Sequence, residues 1–363
     1  MQLSVKRPPQ EYLLLAGLAF IPALAIVVSA RVGAGMQGDS FGYVAASESV
    51  IEVARSALGL RVFLDAAPGY VHWPLGYPLW LSAHAVANVT VGAWALGMNA
   101  ILSGLLVVLT FFLARVAGLA EGWRLVPPAL VALSPAMVEI GWRVQSEALF
   151  TVLFTATVIL LAGAIRQRSI SWSSVAGVSA LASGAYLVRY MGAFLIPIVG
   201  LAALWLALKS LKQDRWVRSA VLIAGSFVGV LLQGIRNLHQ GAEFLGSDRY
   251  VQRFTVVEVL DQSFPWVGSY VFPLRVSQIS LLVTLGVLAI LAAAVVVAIR
   301  QRNSIILFLL VVWIFFWGAL LVSIYFQDTS PVDWRFIHPV FPIFATLLAA
   351  GFAASAGWPS ERP

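Results

Sequence analysis

The chain has 363 residues, of which 60% are hydrophobic and only 11% charged, with a formal net charge of +7 and a mean hydropathy of +0.90. Soluble domains run at about 45–50% apolar and about 25% charged, so this composition excludes a soluble globular protein. The apolar runs are too long and continuous for the weak alternation of a membrane β-barrel, which leaves an all-α, polytopic transmembrane helical bundle.

Taken in order, the predicted spans are 12–30, 93–114, 125–138, 147–165, 171–188, 190–208, 219–236, 278–299, 304–326 and 336–357, about ten in all. Each is measured against the roughly 20 residues that cross ~30 Å of hydrocarbon. The first is too long for a signal peptide and has no small-residue cleavage site after it, so it reads as an anchor. The third is short, with Pro127-Pro128 at its start and Pro135 near its end, which predicts a broken helix buried against its neighbours. Residues 77–92 are apolar but carry Pro78, His84 and Asn88, and are expected to form a short helix on the outer surface. Around residues 44–55, Glu48, Glu52 and Arg55 mark the wet face of a second surface helix, with Val44, Ile51 and Ala54 as its apolar stripe. The chain is thus expected to be one integral-membrane domain over 1–363, with outer loops at 31–92 and 237–277 and juxtamembrane helices on the outer surface. No cysteine is present, so these loops hold no disulfide.

Charge orients the bundle. With the N-terminus inside, the cytoplasmic ends hold 13 basic and 4 acidic residues, a balance of +9, and the outer segments hold 10 basic and 12 acidic, a balance of −2. This obeys the positive-inside rule. Counting 77–92 as a full span would put the Lys209–Arg218 cluster outside. The basic balance therefore reflects topology and contact with membrane lipids, not nucleic-acid binding. Both termini are expected in the cytoplasm and the functional face outside.

That outer side is dense in ionisable groups, which at membrane depth usually face a cavity or a partner. Asp39 lies in Gly38-Asp39-Ser40 just beyond the first span, as either a functional carboxylate or the cap of a helix starting at Ser40. Glu147 opens the fourth span. Glu139, Arg143, Arg189, Arg236, Asp328, Asp333, Arg335 and His338 stand at other outer helix ends. Arg143 and Arg236 read equally well as headgroup-snorkelling residues. Trp73, Trp80, Trp94, Trp142 and Trp266 read as an interfacial belt. His84 and His239 read as ordinary loop residues, since no paired-His metal spacing is present.

The ordered set Gly38-Asp39-Ser40…Tyr43, His72-Trp73-Pro74-Leu75-Gly76-Tyr77-Pro78-Leu79, Ser134-Pro135…Ser146-Glu147, Arg189-Tyr190…Pro197, Arg236-Asn237 and Arg335-Phe336…Pro339…Pro342 resembles the GT-C superfamily of integral-membrane glycosyltransferases. The resemblance is to the branch that contains protein O-mannosyltransferases and the bacterial lipid A aminoarabinose transferases. The sequence departs from the family pattern in its outer loop, where His72-Trp73 precede a single Pro74 in place of a Glu-Lys and paired prolines. The large soluble C-terminal domain of some members is not expected within these residues.

The resemblance implies a polyprenyl-phosphate-linked sugar donor, a lipid, glycan or protein acceptor, and a site facing the outside of what would be a bacterial inner membrane. A phosphate leaving group needs no general acid, so one carboxylate acting on the acceptor hydroxyl is enough. Asp39 takes that role, and Glu147 either positions a substrate or an ion or serves as the other catalytic carboxylate. Arg189, Arg236 and Arg335 are implied as partners of the lipid phosphate, for which the guanidinium fork is suited, and Tyr43, His72, Tyr77 and Tyr190 as substrate-binding residues. A divalent metal is left open, and no other cofactor is implied. The alternative is a membrane transporter or lipid flippase. Asymmetric loops and outward crowding of charge disfavour it, because transporters show paired broken helices and midplane sites. Topology is directly testable: reporters fused near Ser210 should read cytoplasmic and those near Gly246 external. The opposite pattern would overturn both the span count and the outward-facing site.

Overall fold

The computed structural model describes residues 9–36, 38–210, 213–246, 303–327 and 338–356, with single positions and a short stretch between 289 and 299. The chain is an integral membrane helical bundle. Five helices lead to and include the first two long spans: α1 (Pro9–Ser29), α2 (Gly38–Ala54), α3 (Leu60–Asp65), α4 (Gly76–Ala87) and α5 (Val91–Val116). Then come α6 (Glu121–Arg124), α7 (Val126–Ala132), α8 (Pro135–Gly141), α9 (Glu147–Gln167), α10 (Trp172–Val188), α11 (Leu195–Lys209), α12 (Arg215–Ser226), α13 (Val228–His239), α14 (Ser304–Gln327) and α15 (Phe341–Ser355). Among the described residues six helices are long and apolar enough to cross a membrane, or seven when the bent pair 121–132 and 135–141 counts as one span. α10 and the helix that includes α15 are shorter and pack beside them. Every predicted span has a helical counterpart except 278–299, most of which lies outside the described residues, as do the outer-loop residues beyond Gly246 and with them Trp266.

Local chemistry sets the helix boundaries. Thr90 caps α5 by accepting from the Ala93 amide at 3.2 Å, and Ser171 caps α10 by accepting from the Ser174 amide at 3.1 Å. Prolines sit in the first turns of α7, α8 and α15, where no amide donor is needed. The bend of 50° between α7 and α8 falls at Leu133-Ser134, immediately before Pro135, as the prolines predicted.

α5 and α9 form the centre. α5 packs against α1, α7 and α9, and α9 packs in turn against α10, α11 and α14. Phe111, Phe150, Phe154 and Phe316 are fully buried there, with Phe154 edge-on to Phe316 at 5.4 Å. At one end of the bundle, basic and amide side chains satisfy terminal helix carbonyls. Arg166 donates to the carbonyls of Arg115 and Val116 at 3.1 and 3.2 Å, and Asn303 donates to Ala117 at 3.1 Å. The cations predicted to lie inside therefore also cap helix C-termini, where the dipole favours them.

The short helices gather at the other end. α2 packs on α4. Its buried stripe is Tyr43, Ala46, Ser47 and Val50, which corrects the expected stripe: Val44 and Ile51 are half-buried and Ala54 is exposed. Glu48 and Glu52 do form the exposed face. The tryptophans also differ from a simple belt. Tyr43, Tyr77, Trp80 and Trp94 form a continuous ladder, with successive ring centroids 4.8, 5.7 and 6.0 Å apart, and the Trp94 indole donates to the Trp80 carbonyl. α4 and α10 approach so closely that a Cβ on Gly76 would lie 2.5 Å from the Leu187 carbonyl oxygen; no side chain fits there.

α13 holds the loop between α3 and α4. Its apolar residues Val228, Leu231, Ile235 and Leu238 are exposed, while Gln233, Arg236 and Asn237 are completely buried. This is the reverse of a soluble amphipathic helix and is expected where the outer solvent is lipid. Arg236 donates to four carbonyls, those of Phe63, Tyr70, Ala66 and Ala67, at 2.9–3.1 Å. Gln240 donates to Leu64 at 2.6 Å and accepts from the Gly69 amide at 3.2 Å, and Gln233 accepts from the Leu75 amide at 3.3 Å. A segment without regular structure thus has its backbone polar groups satisfied by side chains from one helix face. Replacing Arg236 by Met should destabilise the protein by several kcal/mol, at about 1–3 kcal/mol for each buried carbonyl left unsatisfied, and should expose 63–75 to protease. Arg236→Lys should restore little, because an ammonium has no fork to span four acceptors. Unchanged melting in detergent for both variants would show that other contacts hold the loop.

Candidate active site

The site is organised by one small element of backbone pairing. Gly35, six residues beyond α1, forms an isolated parallel bridge with Arg143, between α8 and α9. The Gly35 amide donates to the Trp142 carbonyl at 2.9 Å, and the Val144 amide donates to the Gly35 carbonyl at 3.1 Å. Asp39 and Glu147 each lie four residues along the sequence from a bridged position, so the pairing brings together the two chain segments that lead into α2 and α9. The position requires glycine, since a Cβ on Gly35 would overlap the Trp142 ring at 2.6 Å. Asn99 on α5 reinforces the junction by donating to the carbonyls of Gly141 and Arg143 at 3.1 and 2.8 Å.

Beyond that anchor lies a buried charge pair. Arg189 Nη1 stands 2.8 Å from Glu147 Oε1, with both side chains less than a tenth exposed. The same nitrogen donates to Ser146 Oγ at 3.2 Å, and Ser146 Oγ lies 3.2 Å from the Tyr43 hydroxyl. The chain of contacts therefore runs from α9 to the end of α10 and across to α2. Arg189 reaches it because α10 stops there: its backbone is extended, at φ −156° and ψ 133°, before the 3₁₀ turn Tyr190–Phe194. Glu147 Oε2 is buried and has no hydrogen-bond partner among the described residues, so among them this carboxylate keeps acceptor capacity beyond its arginine.

Asp39 occupies the second position of α2, which begins at Gly38. It is therefore in the first helical turn, where the dipole favours a carboxylate, and is not the cap of a helix starting at Ser40. It is partly buried, and its charge acts on Tyr43, Tyr70 and Arg189. Burial is the main force holding the Tyr43 phenol far above its ordinary range; Arg189 opposes it, and Glu147 and Asp39 reinforce it. Burial likewise raises the Tyr70 phenol, with Tyr43 and Asp39 adding to the effect. Both stay neutral hydroxyls at any working pH.

The other predicted residues divide. Tyr77 is completely buried and edge-on to Tyr43 at 4.8 Å, so the structure brings it to the pair. His72 is exposed. Tyr190 donates its hydroxyl to the Val71 carbonyl at 3.1 Å and accepts from Asn237 at 3.3 Å, which places it in the loop support. Arg236 is in the same support, its guanidinium committed to the four carbonyls described above. Arg335 lies outside the described residues. Two residues of the cluster went unassigned in the sequence. Ser146 was visible only as a neighbour of Glu147. His338, whose Nδ1 is 2.6 Å from Thr151 Oγ1 one helical turn below Glu147, gave no spacing signal, because its partner is 187 residues away. Among the described residues no group of three or more His, Cys, Asp or Glu stands together as a metal-ligand set.

Solved structures share this arrangement of helices. ArnT from Cupriavidus metallidurans, solved bound to undecaprenyl phosphate, superposes with a TM-score of 0.62 at 14% identity, over 94% of this chain and 59% of that one. The Archaeoglobus fulgidus oligosaccharyltransferase in its apo form superposes with a TM-score of 0.57 at 11% identity, over 95% of this chain and 51% of that one. The chain shares the overall fold of these two proteins. The chain spans about three-fifths of the length of ArnT and half that of the oligosaccharyltransferase. No protein-family model matches the sequence, and no curated protein matches it.

The buried pair can be tested as a unit. Arg189→Met should cost about 3–5 kcal/mol by leaving the Glu147 charge unpaired, and Arg189→Met combined with Glu147→Gln should cost clearly less than the sum of the single changes. Additive losses in detergent melting would show that the two groups are not coupled.

Proposed function

We propose that the protein is a glycosyltransferase that moves a sugar from a polyprenyl-phosphate-linked donor to a hydroxyl acceptor on the outer side of a bacterial inner membrane. The observation that carries this reading is the convergence of Asp39, Glu147 and Arg189 at the end of a GT-C bundle where the short helices gather. The undecaprenyl phosphate bound by ArnT, a protein of the same fold, supports the lipid class of the donor. The acceptor is a lipid, a glycan or a protein hydroxyl, and the transferred sugar a hexose or pentose.

In this reading the acceptor oxygen attacks the anomeric carbon from the face opposite the phosphate. The bond from that carbon to the phosphate oxygen breaks, and its electron pair leaves with the polyprenyl phosphate. The acceptor proton passes to Asp39, and the sugar configuration inverts. A phosphate monoester dianion needs no proton to depart, which is why a single base serves where a glycosidase needs an acid and a base. Glu147 holds Arg189 in place and offers its second oxygen to a substrate hydroxyl. Because Glu147 offsets the charge of Arg189, the excess positive charge that the leaving phosphate requires falls to Arg335, whose fork suits a phosphate. Tyr43 and Tyr77, both buried, act as positioning residues behind the charge pair, Tyr43 through Ser146 and Tyr77 edge-on to Tyr43. Arg236 and Tyr190 act as positioning residues through the loop that ends at Gly76-Tyr77.

Asp39→Asn tests the base. The amide keeps the size of the side chain, so the fold and the binding of donor should persist, while transfer from a polyprenyl-phosphate sugar should fall by ~10²–10⁴-fold, the usual contribution of a general base. Wild-type turnover in folded Asp39→Asn would assign Asp39 to structure and leave Glu147 as the base.

A further inference from the structure

The turn between α2 and α3 presents two leucines that the fold does not use. Leu58 is 87% exposed and Leu60 is 58% exposed, although a small apolar cluster of Ala46, Val50, Val62, Ala66, Ala67 and Leu75 lies beside them. Ala57 and Val53, on the same turn, do pack against that cluster. The turn is therefore anchored on one side while its leucines are held away from the nearest core. Gly59 between them adopts a left-handed φ of 62°, which fixes the reversal and lets both neighbours project. Arg55 and Arg61 flank the pair and are exposed, Arg61 with its guanidinium 3.7 Å from Asp65 in a solvent-open ion pair, giving an apolar tip between two long side chains whose stems can lie along lipid and whose heads stay at the polar level.

The position of this turn identifies its occupant. Asp65, the last residue of α3, accepts from or pairs with His239 at 3.0 Å, and His239 is the last residue of α13. Leu60 stands five residues earlier on α3, about 8 Å along its axis at 1.5 Å per residue. Directly before His239 on α13 come Leu238 and Ile235, 56% and 51% exposed, on a helix long and apolar enough, together with α12, to cross a membrane. An exposed polar set, Arg61, Asp65 and His239, thus fastens α3 at the end of a membrane-spanning helix pair and holds the tip within about 8 Å of that rim.

We propose that Leu58 and Leu60 insert into the headgroup–acyl boundary of the phospholipid bilayer, with Arg55 and Arg61 at the phosphate level. The turn then tethers α2 and α3, and through them the loop at 63–75, to the plane of the membrane. This does not depend on the proposed catalytic activity. A surface anchor of this kind needs only a few buried apolar side chains with basic neighbours.

The absence of cysteine from the chain makes the test direct. Full-length Leu58→Cys, and separately Leu60→Cys, are labelled with an environment-sensitive NBD fluorophore in phospholipid nanodiscs, with Glu52→Cys on the exposed face of α2 as the reference. The expected result is blue-shifted emission at 58 and 60, lost on including lipids with a shallow acyl-chain nitroxide, and water-like emission at 52. Water-like emission at 58 and 60 that is quenched by aqueous iodide overturns the proposal. Blue-shifted emission that neither quencher reaches overturns it in favour of a contact between two copies of the chain.

Discussion

A carboxylate and a guanidinium removed from water inside a bundle are tolerated only when each satisfies the other, and the Glu147–Arg189 pair imposes that condition on everything around it. Arg189 must leave α10 at the level where Glu147 starts α9, so the two helices are fixed in length and register at that end. Ser146 must turn its hydroxyl toward the same arginine, which brings Tyr43 and hence α2 into place. His338 seals the turn below through Thr151, and this ties the last helix to the same point. Elements separated by more than a hundred residues in sequence are positioned by one charge balance.

The bundle was legible because its signals are local. Long apolar runs, basic loops and prolines at helix starts each act within a few residues, and they located the spans, the broken α7–α8 pair and the short outer helix of residues 76–87. The stripe of α2 was misassigned because an apolar residue can face either lipid or protein in a membrane setting. Composition does not distinguish these. Tyr43 faces inward because Tyr77 of α4 and Ser146 just before α9 meet it, and Ser47 can do so because its hydroxyl donates to the Val44 carbonyl of its own helix.

The site was legible to a different depth. Asp39 and Glu147 stood out because a carboxylate beside a membrane span needs a reason to be there. Their relationship did not, since it rests on a backbone bridge between Gly35 and Arg143, and a single bridge leaves no periodic trace. Arg236 illustrates the opposite error of reading. A buried arginine near the candidate site invites the role of phosphate partner, yet its donors are directed at Phe63, Ala66, Ala67 and Tyr70 carbonyls. Residue type suggested the ligand, and only geometry identified it as the protein's own backbone.

The grip of α13 on the loop has a consequence for how this surface can change over time. Arg236, Gln233 and Gln240 recognise carbonyls and amides, the one feature that all residues share, apart from the amide that proline lacks. Apart from Ala66 and Ala67, which pack in the small apolar cluster, and Gly69, whose φ of 76° favours glycine, side chains along 63–71 can therefore be replaced without loosening the grip, provided that the segment keeps its length and a proline does not fall at Leu75, whose amide is held. A loop fastened in this way is free to alter what it shows to an incoming molecule while the machinery beneath it stays fixed, so new specificities can be explored there at little risk to the fold.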